Sequence, residues 1–202
     1  MKGRFIVFEG LDGSGKTTQM RLAAERLRAL GYDCVTEFEP TDGEIGCLIR
    51  RALKGEIEMG TRAIAQLFAA DRSDHVRRMK AEVDSGKIVL CDRYIYSNVA
   101  YQGKYIDKDE ILMYNSVNIS SLLPDTVFFV DVSAKECINR ISANRASSDI
   151  YEKLDILKSV RENYMYCFAC DFNKGVNVVT VDGERPASEI ADEIVSVILS
   201  SN

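Results

Sequence analysis

The sequence is poor in several residue types and patterns, and each shortage excludes something. One histidine, His75, among 202 residues argues against histidine-based catalysis, and its place in a helical stretch predicts a helix-surface side chain. No run of about 18 apolar residues occurs, which argues against a membrane span. The first strand pattern begins within four residues of the start, leaving no room for a signal peptide. There is no basic excess: 26 Lys and Arg face 31 Asp and Glu, a net charge of −5. Proteins that grip long nucleic acid carry a basic stripe, so a polymer partner is not expected. The cations fall in small groups, Arg50-Arg51, Arg77-Arg78 and the lone Arg93, which suits a small, multiply charged ligand. Cysteine is present six times, at 34, 47, 91, 137, 167 and 170, but Cys167-Phe168-Ala169-Cys170 has no second pair or histidine cluster to complete a zinc site. Buried free thiols, and with them a reduced cytoplasmic setting, are the expectation.

What the chain does have is alternation. Hydrophobic residues make up 46% of it, enough for a sizeable core in one domain. Strand-length apolar runs occur at 4–9, 34–38, 87–91, 126–132 and 177–181. Helical patterns lie between them at 16–30, 44–54, 61–85, 107–121, 134–146, 150–172 and 187–200. Strands alternating with helices predict right-handed βαβ units in an α/β fold. The expected fold is a single doubly wound domain over 1–202, with a five-stranded parallel sheet and helices on both faces. Prolines and glycines fall mainly at turns, and no repeat, low-complexity tract or linker interrupts the pattern. The small polar segment 142–150 reads either as a helix–helix connector or as a lid that delivers cations on closure; Arg140 and Arg145, which flank and occupy it, favour the lid.

The strongest local signal is Gly10-Leu11-Asp12-Gly13-Ser14-Gly15-Lys16-Thr17, followed by Thr18, which fits G-x-x-x-x-G-K-[ST]. A strand pattern precedes it and an amphipathic helical pattern follows, the context the motif requires. Glycines let consecutive N–H groups turn inward on phosphate oxygens, and the helix N-terminus adds its positive dipole end. Lys16 then supplies a mobile charge for the β- and γ-phosphates, and the Thr17 hydroxyl suits Mg²⁺. A nucleoside triphosphate site of P-loop type is the reading.

Two further constellations each admit a plain alternative. Asp92 and Arg93 follow the third strand, on the sheet edge that carries the phosphate loop. They are either a surface ion pair or a Mg²⁺ carboxylate and a phosphate-gripping guanidinium. The next stretch, Tyr94-Ile95-Tyr96-Ser97-Asn98-Val99-Ala100-Tyr101-Gln102-Gly103, concentrates aromatic and amide groups able to read a base edge. Phe68 and Arg72 share one helix face at i, i+4 and could stack a base and donate to its carbonyl. Taken alone, Phe68 reads as core.

Together these motifs resemble the thymidylate kinase family: F-E-G-L-D-G-S-G-K-T-T at 8–18, E-P at 39–40, F-A-A-D-R at 68–72, D-R-Y-x-x-S-x-x-A-Y-Q at 92–102 and F-x-D-V at 129–132. The resemblance implies transfer of the γ-phosphoryl group of ATP to dTMP, with Mg²⁺, in a homodimer. It implies that Asp12 lies near the acceptor sugar and phosphate, that Phe68 stacks on thymine, and that Arg72 contacts its O4. Ser97, Asn98 and Gln102 would line the thymine site, with Glu39, Pro40 and Arg50 beside the acceptor pocket. Arg93 would hold the dTMP phosphate, and Tyr101 would crowd out a ribose 2′-hydroxyl. Val181–Pro186 would lie against adenine.

Some positions depart from the family. A branch with an arginine in the phosphate loop has Gly13 here, so the catalytic cation is expected from the lid. The usual lid position is Ser148, leaving Arg145 and then Arg140 as substitutes. Glu37-Phe38-Glu39 replaces a more usual Thr-Arg-Glu and removes one cation. The catalytic set expected is Lys16, Asp12, Arg93 and Arg145, the metal set Thr17 and Asp92. The rivals are a kinase for dUMP, CMP or a deoxynucleoside, and a nucleotide-binding regulatory protein. For the last, Asn173-Lys174-Gly175-Val176 fails the N-K-x-D base reader at its final position.

Overall fold

The computed structural model describes residues 2–142 and 150–200. Its centre is strand β1 (Arg4–Glu9), whose residues from Phe5 onward are all buried. A strand covered on both faces needs a continuous apolar run, and Phe5-Ile6-Val7-Phe8 provides one. The remaining strands are β2 (Cys34–Phe38), β3 (Ile88–Asp92), β4 (Thr126–Asp131) and β5 (Asn177–Asp182). They pair in the order β2-β3-β1-β4-β5, all parallel.

Helices α1 (Lys16–Ala29), α2 (Glu44–Leu53), α3 (Thr61–Asp84), α4 (Ile95–Gln102), α5 (Lys108–Tyr114), α6 (Ser116–Ser121), α7 (Ala134–Ser142), α8 (Ile150–Ala169) and α9 (Ala187–Ser200) connect and cover the strands. α1 packs on α9 and on β1, β2 and β3, while α4 sits between α3 and α8. The sheet is thus flanked by helices in the doubly wound manner, and one hydrophobic cluster runs through it. Among the described residues, no helix is long and apolar enough to cross a membrane.

Three differences from the sequence reading bear on the site and its surroundings. Asp92 belongs to β3, so its carboxylate is fixed by the sheet. Residues 95–102 form α4, a helix the reading omitted. The stretch 107–121 divides into α5 and α6 at Asn115, a fully buried residue. Segment 143–149, with Arg145 and Ser148, lies outside the described residues. All six cysteines are free, but Cys47 is exposed and Cys170 half-buried, so uniform burial of the thiols does not hold.

Strand register brings the motifs together. Phe8 lies opposite Asp92 in the β1–β3 pair, and Phe38 opposite Asp92 in the β2–β3 pair. Beyond the last pairs, Arg93 N–H donates to Phe8 O at 2.9 Å, and Glu39 N–H to Asp92 O at 3.0 Å. The phosphate loop, Asp92-Arg93 and Glu39-Pro40 therefore leave the sheet side by side at its carboxyl edge, where doubly wound folds place ligands.

Candidate functional site

The loop after β1 owes its shape to close approach. A Cβ on Gly13, at φ +83°, would come within 2.7 Å of Cys137 O, and one on Gly10 within 2.8 Å of Val130 O. Both distances are shorter than side chains tolerate, so only glycine lets the loop lie this near β4 and α7. The first turn of α1 then presents its amides with no side-chain cap and no acidic residue. These uncapped donors, with the helix dipole behind them, favour an anion. Lys16 bends back over the loop: its Nζ donates to Leu11 O at 3.3 Å and lies 3.9 Å from Asp12. Burial, with Arg93 nearby, pushes the Lys16 ammonium pKa down against the pull of Asp92, Asp12 and Glu9.

Thr17 Oγ1 donates to Asp92 Oδ2 in a short contact, while Asp92 Oδ1 is buried with no hydrogen-bond partner. A buried carboxylate oxygen without a donor is costly unless something cationic meets it. With the Thr17 hydroxyl beside it, the pair offers oxygen donors of the kind a hard divalent cation takes. The Ser14 hydroxyl is also buried and unpartnered at the loop.

Beside the loop opens a cavity lined by Asp12, Pro40, Leu53, Phe68, Arg93, Ser97, Asn98, Tyr101 and Gln102. The lining combines apolar Leu53 and Phe68, the amides of Asn98 and Gln102, and Asp12 of the phosphate loop itself. Phe68 is half-buried in its wall rather than lost in the core. Arg93 is the pivot. Its backbone φ of +70° turns the chain between β3 and α4. The side chain donates to Ser97 Oγ at 2.8 Å, pairs with Asp12, and lies 5.0 Å from the Tyr101 ring centroid. Tyr101 in turn accepts the Asp12 N–H at 3.1 Å, tying α4 to the loop.

Beneath Arg93 lies Glu9, fully buried. It accepts from Tyr94 N–H at 2.8 Å, Ser97 Oγ at 2.6 Å and Tyr164 Oη at 2.9 Å. Burial pushes the Glu9 carboxyl pKa up, and Arg93 with these donors partly restrains it. Sequence reading missed both Glu9 and Tyr164. A lone acid closing an apolar strand was a usable signal for Glu9; Tyr164, far away on α8, carried none.

Three expected pocket residues stand back from the cavity surface. Arg72 is 1% exposed and lies behind the wall, where its Nε and Nη2 hold one oxygen of Glu39 at 2.8 and 2.6 Å. Its Nη1 donates to Asn115 Oδ1 at 2.6 Å. Glu39 is buried by that pairing, although Pro40, joined to it by a cis peptide, reaches the cavity. Arg50 donates to Pro40 O at 2.8 Å and to Asp42, outside the cavity lining. Arg140 bridges the loop and the β5–α9 turn, donating to Gly183 O at 3.2 Å and to Ser14 O at 3.4 Å.

The expectation for His75 fails outright. It is fully buried, with Nδ1 3.1 Å from Glu39 Oε1 and Nε2 3.0 Å from Glu37 Oε2. Burial works against a charged imidazole, but the bonds and charges of Glu37 and Glu39 outweigh it and raise the pKa to about 9. Arg72 pairs with the same Glu39, and Arg78 lies near Glu37. A raised folded-state pKa stabilises the fold fully below the free value of 6.5, and that contribution is lost as pH rises to about 9. The loss is on the order of 3 kcal/mol. Melting temperature should therefore fall between pH 6.5 and 9.5, and fall less in His75→Gln. As the one histidine in the chain, His75 gives a single imidazole NMR titration, expected near pH 9. A midpoint near 6.5 would contradict the ion pairs.

Comparison with known proteins agrees with this geometry. The family model described as thymidylate kinase matches residues 8–194. A probable thymidylate kinase of Pyrococcus abyssi is 38% identical over 204 residues, covering 98% of this chain and 97% of that protein. Proteins of the same description from Methanocaldococcus jannaschii and Methanococcus maripaludis are 36% and 37% identical over 96% and 97% of this chain, and 95% of each of theirs. With glycines, lysine, Asp92, Arg93 and the aromatic-amide cavity all on one sheet edge, the chain belongs to the thymidylate kinase family.

Proposed function

We propose that this protein transfers the γ-phosphoryl group of ATP to dTMP, giving ADP and dTDP. The observation that carries this reading is the shared wall: Asp12 of the phosphate loop also lines the cavity of Phe68, Asn98 and Gln102. Donor and acceptor phosphates are thereby brought to one point, and positioning is most of the catalysis in phosphoryl transfer. The loop amides and Lys16 hold the donor phosphates. Arg93 holds the acceptor phosphate with its planar fork, oriented by Ser97 and Tyr101. An acceptor phosphate oxygen is already ionised at neutral pH, so no strong general base is required. Phe68 stacks on thymine, Asn98 and Gln102 face its edge, and Tyr101 closes the space of a ribose 2′-hydroxyl. Arg72 serves from behind the wall, so its contact with thymine O4 requires a small opening of its bonds.

Thr17 and the unpartnered Asp92 oxygen would hold Mg²⁺, which would supply charge neutralisation for the donor phosphates. Arg140, already near Ser14 O, serves the donor side; Arg145 of a lid over 142–150 is the candidate for the closing cation. A homodimer in the cytoplasm, with no nucleic-acid or membrane partner, completes the reading. A regulatory switch is less well supported, because Asn173 has its amide engaged internally: Nδ2 donates to Cys167 O at 2.6 Å and Oδ1 accepts from Tyr96 Oη at 2.8 Å.

The test is ADP release measured with dTMP, dUMP, CMP and a deoxynucleoside as acceptors, with and without Mg²⁺. Mg²⁺-dependent turnover fastest with dTMP is the expected result. Equal rates across the panel would overturn the base specificity, and no dTMP-dependent release would overturn the function.

A further inference from the structure

The buried histidine has no place in the chemistry above, yet it ends a continuous polar chain that reaches the acceptor cavity. Phe68, Arg72 and His75 lie on one face of α3 at helical spacing, and only Phe68 lines the cavity. Phe68 forms the wall, while Arg72 and His75 are both buried and off the cavity lining. His75 Nδ1 faces Glu39 Oε1 at 3.1 Å, leaving Glu39 Oε2 to Arg72. Ionised carboxylates only accept, so both ring nitrogens must donate, and Glu39 and Glu37 are held from one imidazolium. From Arg72 the chain continues to Asn115 at 2.6 Å, whose amide donates to Asn98 Oδ1 at 3.0 Å. Asn98 donates to Gln102 Oε1 at 3.1 Å, and both line the cavity.

We propose that His75 is a positioning residue for the acceptor base: by fixing the Glu39 carboxylate between its own ring and Arg72, while Glu37 holds the other side of that ring, it sets the Pro40 wall and the Asn98–Gln102 amides that face thymine. Stability alone does not call for such a cluster, since replacing a whole buried ion pair with apolar residues of similar size is often neutral, whereas removing His75 alone strands a buried Glu39 oxygen. What the imidazole adds is direction. Glu39 has two oxygens, and Arg72 alone satisfies one of them from one side. With His75 on the other oxygen the carboxylate cannot rotate, and the order of donors and acceptors from Arg72 to Gln102 has one arrangement instead of several.

This proposal rests on dTMP being the acceptor, and its test separates the two. Wild-type protein is first assayed with dTMP; absence of turnover removes the acceptor reading and this proposal with it. Given wild-type turnover, His75→Leu is expected to raise the KM for dTMP about tenfold. Its kcat and its KM for ATP should stay within about twofold, because the phosphate loop is untouched. His75→Gln, which keeps one donor, should recover part of the loss. In a Glu39→Gln background the His75→Leu effect should largely vanish, since the pathway runs through that carboxylate. A folded His75→Leu protein with an unchanged KM for dTMP overturns the proposal, as does an effect equal on dTMP and ATP. Should His75→Leu not fold, the wild-type imidazole decides: with one histidine in the chain, its ¹⁵N resonances are expected to shift on saturation with dTMP. Resonances unmoved by dTMP would overturn the proposal.

Discussion

Replacing Lys16 with methionine is expected to lower turnover about 100-fold or more, while the melting temperature stays level or rises. The rate effect follows from the loss of a preorganised charge aimed at the phosphates. Removing one such group from a water-poor site costs about 10²–10³ in kcat. The stability effect has the opposite sign, for the same physical reason. Lys16 is 6% exposed, and burial disfavours its charged form in the folded chain. Methionine keeps the stem and its packing but removes the charge that folding must desolvate. Function and stability therefore oppose each other at this residue, as they do where a site is built for a ligand's charge. Steady-state rates and a thermal melt on the same preparation test both halves. A near-normal rate would overturn the phosphate-loop assignment; a large drop in melting temperature would show that Lys16 serves the fold instead.

Which parts of the molecule were readable follows from where the information sits. The phosphate loop was legible because eight consecutive residues encode its shape, and Gly10 and Gly13 are needed there for local reasons of contact. The parallel sheet was legible because strands covered on both faces need unbroken apolar runs such as Phe5-Ile6-Val7-Phe8. Helix α4 was not. Ile95 through Ala100 are all buried, so the segment lacks the one-sided stripe by which a surface helix is recognised. His75 was misplaced because its surroundings include Glu37 on β2 and Glu39 just beyond it, which reach it only through the fold. The same holds for Arg72: its spacing from Phe68 was right, but Glu39 and Asn115 draw its guanidinium behind the wall. Pairings across more than 30 residues, such as Tyr164 with Glu9, leave no local trace.

Arg93→Ala should raise the KM for dTMP about 10–100-fold while changing that for ATP only slightly, because a charge-assisted bond to a phosphate contributes about 1.5–3 kcal/mol. The backbone complicates the comparison and also supplies a control. Arg93 sits at φ +70°, a region that costs a residue with a Cβ roughly 1–2 kcal/mol. Alanine keeps that strain and loses the contacts to Asp12, Ser97 and Tyr101 that hold the arginine there. Arg93→Gly relieves the strain, so it should melt at a higher temperature than Arg93→Ala. Both variants lack the guanidinium and should share the same defect towards dTMP. If the defect instead tracked stability, with Arg93→Gly nearly normal, the residue would be a turn former and not the acceptor's phosphate clamp. Arg93→Lys sharpens the distinction, since it keeps the charge but not the fork. An intermediate KM for dTMP is expected, because an ammonium meets a phosphate as a point charge and cannot pair with two of its oxygens from one plane. The two-oxygen grip matters because the same guanidinium also pairs with Asp12 of the phosphate loop, so on the proposed reading an acceptor phosphate would compete with Asp12 for Arg93 and its arrival would be felt at the donor site.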